Sequence, residues 1–353
     1  MRDSPFKSQV REKILKAQWD HLVATAQAWL EVEPSEPIAR LALVIGCLIQ
    51  GNYRDAYENH AKLFAVTDDE SHGENIQDPP STLRNFSERL AEDHADNPGA
   101  KLFLGLTLAQ IGDLQGALRE YKDSARLAPE DPRPHYFHGQ AHQAMGEVDM
   151  AVREYREAAR LAPHEAAIRL NLGSVYHLQG NLESAITQYR EAIKLSPSDA
   201  YLHYNLGLAL SDQGRMAAAT AAYKESARLN PADALPRFAL GVAEETQGRL
   251  PKALTEFEAA VELDPTLAAA HTKLGWLLLA LRRVPQAAEA FENAVRCDSD
   301  DAQALHGLGL AKLELRKEAE AIGLLKQAYE KEERPDKKRA IRQVLIRAGA
   351  LRS

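Results

Sequence analysis

The sequence of 353 residues predicts an all-α fold in which helix–turn–helix units stack into a solenoid. Three kinds of residue recur along the chain with one shared period of 34 residues. The glycines are Gly105, Gly139, Gly173, Gly207, Gly241, Gly275 and Gly309. The alanines are Ala117, Ala151, Ala185, Ala219, Ala253, Ala287 and Ala321. The residues four positions after these alanines are Tyr121, Tyr155, Tyr189, Tyr223, Phe257, Phe291 and Leu325. Because all three sets keep one register, we interpret the chain as seven copies of one structural unit.

Each unit is predicted to contain two helices joined by a short turn. In the third unit the first helix is predicted over 166–178 and the second over 183–195. Gly180 separates them, as a glycine after a helix C-terminus does. The same register places Pro251 and Pro285 in the first turn of a second helix, where proline is tolerated. The unit is therefore predicted to be a helical hairpin.

The recurring glycine of the first helix has a packing explanation. A glycine inside a helix costs about 1 kcal/mol relative to alanine, so seven at one position indicate a closely approaching helix. The facing helix carries the alanine of the Ala117 type, and the aromatic residue four positions later lies on the same face. We expect that enlarging this alanine would overpack the contact at a cost of roughly 1–3 kcal/mol.

The third unit shows the repeat pattern most completely. Its landmark residues are Leu172, Gly173, Tyr176, Gly180, Ala185, Tyr189, Ala192 and Pro197. Their order and spacing resemble the tetratricopeptide repeat (TPR), and the resemblance covers about residues 98–335. It implies a right-handed superhelix whose first helices line a concave face, where ligands of this family usually lie. It also implies a scaffold or adaptor for protein–protein interaction.

The sequence divides into a regular array and irregular ends. The seven repeats are predicted over 98–131, 132–165, 166–199, 200–233, 234–267, 268–301 and 302–335. Before them we expect irregular TPR-like helices over 1–66, an acidic linker or insert over 67–81 and a connecting helix over 82–97. A capping helix with one apolar face is expected over 336–353. In the last two repeats, Arg282 and Arg316 stand where the earlier repeats have the turn glycine.

A second stripe along the first helices changes freely between repeats and matches the concave positions of the family. It comprises Arg133, Tyr136, Gln140, Gln143, Leu170, Ser174, His177, Tyr201, Tyr204, Leu208, Ser211, Asp212, Leu235, Phe238, Val242, Glu245, Thr246, Thr272, Trp276, Leu279, Gln303, His306, Leu310 and Glu314. Its aromatic and apolar centre is typical of a binding surface. The sequence therefore predicts a groove that binds an extended peptide or a short amphipathic helix. In the alternative interpretation, Tyr204, Phe238 and Trp276 pack against the neighbouring repeat and are mostly buried.

The charge of the chain and of this stripe limits the partner. The formal net charge is −8, whereas binding of nucleic acid requires clustered Lys and Arg. Arg133 is the one Lys or Arg of the stripe, so we expect no strong binding of an acidic C-terminal tail. A protein or peptide with apolar anchors, carrying a basic residue near Asp212 or Glu245, fits better. We expect neither nucleic acid nor direct membrane insertion.

No sequence motif indicates an enzyme. Fingerprints such as GxSxG, HExxH and the phosphate-binding glycine loops are absent, and we expect no catalytic residue and no cofactor. The sharpest alternative is His135, His138 and His142, whose spacing places three imidazoles on one helix face, as a metal site requires. These positions also match core positions of the repeat. Packing is therefore the preferred interpretation, and no metal is expected.

The predicted compartment is the cytoplasm. Residues 1–7 are not followed by the apolar segment of a signal peptide, and the longest apolar run, 41–49, is too short to span a bilayer. Cys47 and Cys297 are expected to be two buried thiols. Two further functions stay open: a structural TPR protein that self-assembles into homo-oligomers, and a chaperone-like assembly factor for a larger complex.

Overall fold

A computed structural model describes residues 5–33, 36–49 and 79–351, and every regular element in these ranges is an α-helix. The chain separates into two compact units, Met1–Leu195 and Ser196–Ser353. Successive helices within each unit pack as antiparallel hairpins. The all-α fold of stacked hairpins predicted from the sequence is confirmed.

The first unit contains ten helices among its described residues. They are α1 (Pro5–Leu15), α2 (Trp19–Val32), α3 (Pro37–Ile49), α4 (Pro79–Asp93), α5 (Pro98–Gln110), α6 (Leu114–Leu127), α7 (Pro132–Ala144), α8 (Val148–Leu161), α9 (Ala166–Leu178) and α10 (Leu182–Leu195). The pairs α5–α6, α7–α8 and α9–α10 form hairpins. Helix α1 packs against α2 and also against α5, which follows it much later in the chain: Asn97, the residue before α5, lies 82 residues after Leu15, the last residue of α1.

The second unit contains nine helices among its described residues. They are α11 (Ala200–Asp212), α12 (Met216–Leu229), α13 (Ala234–Thr246), α14 (Leu250–Leu263), α15 (Ala268–Ala280), α16 (Val284–Cys297), α17 (Ala302–Glu314), α18 (Glu318–Lys331) and α19 (Pro335–Arg347). Four consecutive hairpins run from α11 to α18, and α19 packs on α18. Ile341 and Leu345 of α19 are buried against the last hairpin, where the sequence predicts a capping helix.

Helix ends follow local sequence signals. Aspartates before several helices of both kinds accept a hydrogen bond from a backbone N–H of the first turn; for example, Asp113 accepts from Gly116 at the start of α6 and Asp301 from Gln303 at the start of α17, each at 2.8 Å. Pro251 and Pro285 lie in the first turn of α14 and α16, as predicted. The turns inside the hairpins have left-handed backbone torsion angles at Gly112, Gly146, Gly180, Gly214, Gly248, Arg282 and Arg316.

In six of the seven regular hairpins, the close approach of the two helices places an aromatic ring against the recurring glycine, and in the seventh Leu325 takes the place of the ring. A Cβ atom at Gly105 would lie 2.6 Å from Cε1 of Tyr121, whereas the backbone oxygen of Ala117 lies 3.4 Å away. The aromatic ring, more than the alanine, therefore requires the glycine. Tyr121 itself is fully buried, and that burial raises the pKa of its hydroxyl.

The bounds of the N-terminal helices differ in places from the ranges expected from the sequence. Helix α2 lies within 1–66, where irregular TPR-like helices are expected. Helix α4 begins at Pro79, so the last three residues of the predicted 67–81 linker are helical. Residues 67–78 of that linker lie outside the described residues. Cys47 is buried, but the expectation for Cys297 is wrong because its side chain is exposed at the end of α16. No described helix is long and apolar enough to cross a membrane.

Candidate functional site

The predicted concave residues lie on six first helices, which fall in the two compact units. In the first unit they include Arg133, Tyr136 and Gln140 on α7, and Leu170 and His177 on α9. In the second unit they include Tyr201, Tyr204, Leu208 and Asp212 on α11, Leu235, Phe238, Val242 and Glu245 on α13, Trp276 and Leu279 on α15, and His306 on α17. The two groups differ in how far the chain's own residues cover them.

The first group is engaged by neighbouring side chains. Tyr136 is buried, lies 5.9 Å from the Tyr155 ring centre, and its hydroxyl accepts a 3.0 Å hydrogen bond from Nδ2 of Asn171. Arg133 forms a bidentate pair with Asp131, with a shortest contact of 2.7 Å, and its guanidinium lies 5.5 Å above the Trp19 ring. Tyr136 therefore presents little surface to a partner, and the half-buried Arg133 is already held by Asp131 and Trp19.

Three aromatic side chains form the centre of the second group. Tyr204 lies 6.0 Å from the Tyr223 ring, Phe238 lies 6.0 Å from the Phe257 ring, and Trp276 lies 5.4 Å from the Phe291 ring. In each pair, the partner ring belongs to the second helix of the same hairpin. The three central side chains are half-buried. One side of each ring is thus packed while part of it faces solvent, which lies between the two interpretations offered by the sequence.

Two apolar side chains next to this row are exposed. Tyr201 at the start of α11 is 59% exposed, and Leu235 at the matching position of α13 is 44% exposed. Leu208 and Val242, further along the same two helices, are half-buried. Exposed and half-buried apolar groups therefore lie along two successive first helices, and we name these six residues the apolar face of α11 and α13: Tyr201, Tyr204, Leu208, Leu235, Phe238 and Val242.

Carboxylates accompany the apolar face. Asp199 and Asp233 cap α11 and α13 by accepting hydrogen bonds of 2.9 Å from the backbone N–H of Tyr201 and Leu235. Burial, followed by the negative charge of Asp233, raises the pKa of the Tyr204 hydroxyl. The sequence analysis did not single out Asp199 and Asp233. Their position, two residues before each exposed apolar residue, is the signal that could have identified them.

Glu245 differs from the other acidic residue predicted for the site. Its carboxylate is paired with Nζ of Lys273 at 2.9 Å. Asp212, in contrast, is an exposed residue at the end of α11. The two carboxylates therefore lie in different surroundings, Asp212 at the exposed end of α11 and Glu245 in an ion pair with α15.

His306 contacts the aromatic row from α17. Its ring lies 5.5 Å from the Trp276 ring in an edge-to-face arrangement. Burial lowers the pKa of the imidazole, which favours the neutral form. Its Nε2 atom is buried without a hydrogen-bond partner. The side chain therefore acts mainly as an aromatic neighbour of Trp276.

The three histidines of α7 pair with carboxylates instead of converging on one point. Nδ1 of His135 and of His138 lie 2.7 Å and 3.2 Å from Oε2 of Glu154, and Nδ1 of His142 lies 2.6 Å from Glu147. Burial alone would raise the pKa of Glu154, but hydrogen bonds from His135 and His138 lower it to about 2. Within the described ranges, no three metal-ligating side chains are grouped to hold an ion.

Comparison with protein families identifies the repeat. Family models described as tetratricopeptide repeat or TPR repeat match residues 77–132, 132–165, 173–214, 204–268 and 272–337. One of these models by itself matches 77–132, 204–268 and 272–337, which together exceed half of the chain. No curated protein sequence matches this chain.

Solved structures with the same fold include three TPR-like proteins. The C-terminal part of a TPR repeat-containing protein from Cytophaga hutchinsonii aligns with a TM-score of 0.55 and 15% identity, covering 71% of this chain and 99% of that one. A chain of the APC/C hetero-tetramer Cut9–Hcn1 aligns with a TM-score of 0.52 and 16% identity, covering 94% of this chain and 66% of that one. Yeast Tom70 aligns with a TM-score of 0.51 and 14% identity, covering 99% of this chain and 89% of that one. At sequence identities of 14–16%, these structural alignments show a shared fold and do not show a shared function.

Proposed function

This chain belongs to the tetratricopeptide repeat family, and we propose that it is a protein-interaction scaffold that binds a peptide segment of a partner on the first helices of its second unit. The apolar face of α11 and α13 forms the centre of this site, with Trp276 and Leu279 of α15 beside it. Nothing in this role requires a cofactor or a catalytic group.

The observation that carries the proposal is the exposure of Tyr201 and Leu235. Large apolar side chains at matching positions of successive repeats lose contact with water when a partner binds, which is favourable by about 25 cal/mol per Å². Tyrosine and tryptophan also dominate the energetic centres of interfaces. Tyr204, Phe238 and Trp276 are held in place by rings behind them, so little side-chain freedom is lost on binding.

The charges of the site favour one kind of peptide. Asp212 lies on α11 and Asp233 is the residue before α13, so both helices of the apolar face carry a carboxylate on or next to them. A partner segment with apolar anchors and a basic residue near Asp212 matches this arrangement. An acidic C-terminal tail would meet like charge and is disfavoured.

The test compares three chains as baits in affinity capture from the source organism's lysate. They are the wild type, a Tyr201→Ser/Leu235→Ser variant and a control variant, Leu263→Ser. Leu263 is also an exposed apolar residue of the second unit, but it lies at the end of a second helix. Each captured protein is then divided into overlapping synthetic peptides, and their dissociation constants are measured.

We expect one partner segment to bind wild type and the Leu263→Ser control equally, and to bind the double variant at least about tenfold more weakly. Equal binding to all three chains would place the site elsewhere and contradict the proposal. Capture of the chain by itself alone, with a mass that rises with concentration, would favour self-assembly instead.

A further inference from the structure

Three second helices of the first unit carry cations at matching repeat positions. Lys122 on α6, Arg156 on α8 and Arg190 on α10 are separated by the period of 34 residues. Arg126, Arg160 and Lys194 follow them by four residues, and Arg119 and Arg153 precede the first two by three residues. At these spacings the cations of one helix share a face, and all of these residues are exposed. Each of the three helices therefore presents a positively charged face to solvent.

The repeat fold itself does not require a cation at these positions. In the second unit, the residues that correspond to Lys122 are Lys224, Glu258, Glu292 and Lys326. Those that correspond to Arg126 are Arg228, Glu262, Arg296 and Glu330. These residues are exposed as well, so the same position of the fold accepts either sign of charge. The uniformly positive face is thus a property of the first unit and not of the repeat.

The carboxylates of the same three helices are already engaged. Asp123, Glu157 and Glu191 pair with Arg126, Arg160 and Lys194 of the next turn, at 3.7 Å, 2.7 Å and 2.6 Å. Glu120 pairs with Lys101 at 3.2 Å, and Glu154 contacts two imidazoles. Five cations have no carboxylate within ion-pairing distance among the residues that the structure describes, and we name them the basic patch: Arg119, Lys122, Arg153, Arg156 and Arg190.

The side chains of the basic patch are suited to carboxylates. All but Lys122 are arginines, whose planar guanidinium binds a carboxylate through two parallel hydrogen bonds. The chain forms such a pair beside the patch, where Nη2 and Nε of Arg160 donate to Oε1 and Oε2 of Glu157 at 2.7 Å and 3.1 Å. A carboxylate supplied by a partner would find the same kind of donor, without a competing acid, at Arg156 and Arg190.

The overall charge of the chain limits the size of the ligand. The formal net charge is −8, so a large polyanion that extends beyond the basic patch meets like charge. A membrane surface or a nucleic acid extends in this way, whereas a short acidic segment contacts the patch alone. Salt screens charges over about 8 Å at physiological ionic strength, which confines the attraction to the patch itself.

We propose that the basic patch binds a short segment of a partner protein that is rich in Asp and Glu. This site goes beyond the proposed function, because it lies on second helices of the first unit and does not involve the apolar face of α11 and α13. Each exposed ion pair contributes little by itself, so the segment needs several acidic residues and its binding should be sensitive to salt.

The test measures binding of labelled synthetic peptides to the full chain by fluorescence anisotropy, in about 50 mM and about 300 mM salt. The main probe is a peptide of alternating Glu and Ser. Its counterparts have Gln or Lys in place of every Glu, so that length and spacing stay the same. Vesicles of phosphatidylcholine, with and without phosphatidylserine, are assayed by sedimentation.

Three variants locate the binding. Lys122→Gln/Arg156→Gln/Arg190→Gln removes one cation of the basic patch from each of the first three repeats. The control, Lys252→Gln/Arg296→Gln/Lys326→Gln, removes the same charge from exposed second-helix residues of the second unit. Lys122→Glu/Arg156→Glu/Arg190→Glu reverses the charge of the patch. Circular dichroism verifies that each variant is folded.

We expect the Glu peptide to bind wild type and the control variant within about twofold of each other, and to bind the patch Gln variant at least about tenfold more weakly. The Gln peptide should bind wild type at least about tenfold more weakly than the Glu peptide, and the higher salt should weaken the Glu peptide further. The charge-reversed variant should bind the Lys peptide instead.

Equal binding of the Glu and Gln peptides, an equal loss in the patch and control variants, or no binding in about 50 mM salt would overturn the inference. If only vesicles with phosphatidylserine bind, and the patch variant loses them, the ligand is an anionic membrane and the assignment to a partner protein is wrong. Tyr201→Ser/Leu235→Ser, which tests the proposed function, should leave binding of the Glu peptide unchanged. If that double variant weakens it instead, the basic patch is not its site.

Discussion

The side-chain amide of Asn97 joins two helices that are far apart in the sequence. Its Oδ1 accepts a 2.9 Å hydrogen bond from the backbone N–H of Ala100, which caps α5, and its Nδ2 donates to the carbonyl oxygen of Leu15 at the end of α1. One residue therefore both starts the first repeat and holds the helix that covers it.

Asn97→Asp should separate these two functions. A carboxylate retains the cap but cannot donate, and it faces the Leu15 carbonyl oxygen with like polarity. We expect the docking of α1 to weaken by about 1 kcal/mol or more, with little change in α5. Hydrogen exchange measures this as faster exchange of amides in residues 5–15 but not in residues 98–110. Equal protection of α1 in both proteins would show that the Asn97–Leu15 bond contributes nothing.

Two glycines should respond to alanine in opposite directions. At Gly99, the new Cβ would meet the backbone oxygen of Ile14, so Gly99→Ala should destabilise the packing of α1 by roughly 1–3 kcal/mol. Gly323 lies within α18 with nothing within 4 Å of its missing Cβ. Gly323→Ala should therefore stabilise the fold by about 0.5–1 kcal/mol. Urea unfolding measures both, and two changes of the same sign would contradict the packing described for α1.

Arg282 and Arg316 should be improved by glycine. Both have left-handed backbone torsion angles, with φ of 62° and 63°, at the turn where earlier repeats have glycine. A residue with a Cβ pays roughly 1–2 kcal/mol in this conformation, and glycine in the unfolded chain offsets part of that gain. Each substitution to glycine should raise the free energy of unfolding by about 0.5–1 kcal/mol.

The control for these two substitutions is Gly248→Ala at the same turn of an earlier repeat, where φ is 73°. This change should lower the free energy of unfolding by a similar amount. The ion pair of Arg282 with Glu314, 3.4 Å long and largely exposed, is too weak to reverse the expected gain. Loss of stability in both arginine variants would mean that their side chains contribute more than the backbone costs.

Glu154 should make the first unit sensitive to acid. The two imidazoles hold its pKa at about 2 in the folded chain, below the ordinary value of 4.5. A carboxyl group with a lowered folded pKa stabilises the fold above its unfolded pKa. That contribution is lost as the pH falls from about 4.5 towards 2. After allowance for solvent screening we expect it to be about 1–2 kcal/mol.

The variant Glu154→Gln tests this linkage. Wild type should lose more unfolding free energy than the variant between pH 5 and pH 3, and the two pH profiles should converge at the acidic end. Chemical denaturation at several pH values gives both profiles. Parallel profiles would show that the two hydrogen bonds do not shift the titration of Glu154 relative to the unfolded chain.

The repeat array could be predicted because its rules are local. The helix glycine, the large side chain that fills its space and the turn residue lie within one hairpin, as Gly105, Tyr121 and Gly112 do, and most periods repeat this combination. The repeat register alone places Arg282 and Arg316 at the turn position where earlier repeats have glycine, and their backbones are left-handed there. Nothing in these positions depends on distant parts of the chain.

The state of the candidate site could be predicted less well because it depends on distant contacts. Tyr136 and Tyr204 occupy the same repeat position, yet Tyr136 is buried and bonded to Asn171, whereas Tyr204 is half-buried. The space beside Gly99 of α5 is closed by α1, which has no repeat pattern of its own. Sequence periodicity identifies the concave positions, but it does not show which of them the chain itself occupies.

The attachment of α1 to α5 also determines how well a free helix could compete for α5. A helix that is part of the same chain as its binding surface behaves as a ligand at an effective concentration on the order of millimolar. A free helix at micromolar concentration would therefore have to bind α5 about a thousandfold more tightly than α1 does to replace it. Under the proposed function, the buried Leu102 and Leu106 are closed to a partner, whereas the exposed Tyr201 and Leu235 are open to a segment of ordinary affinity.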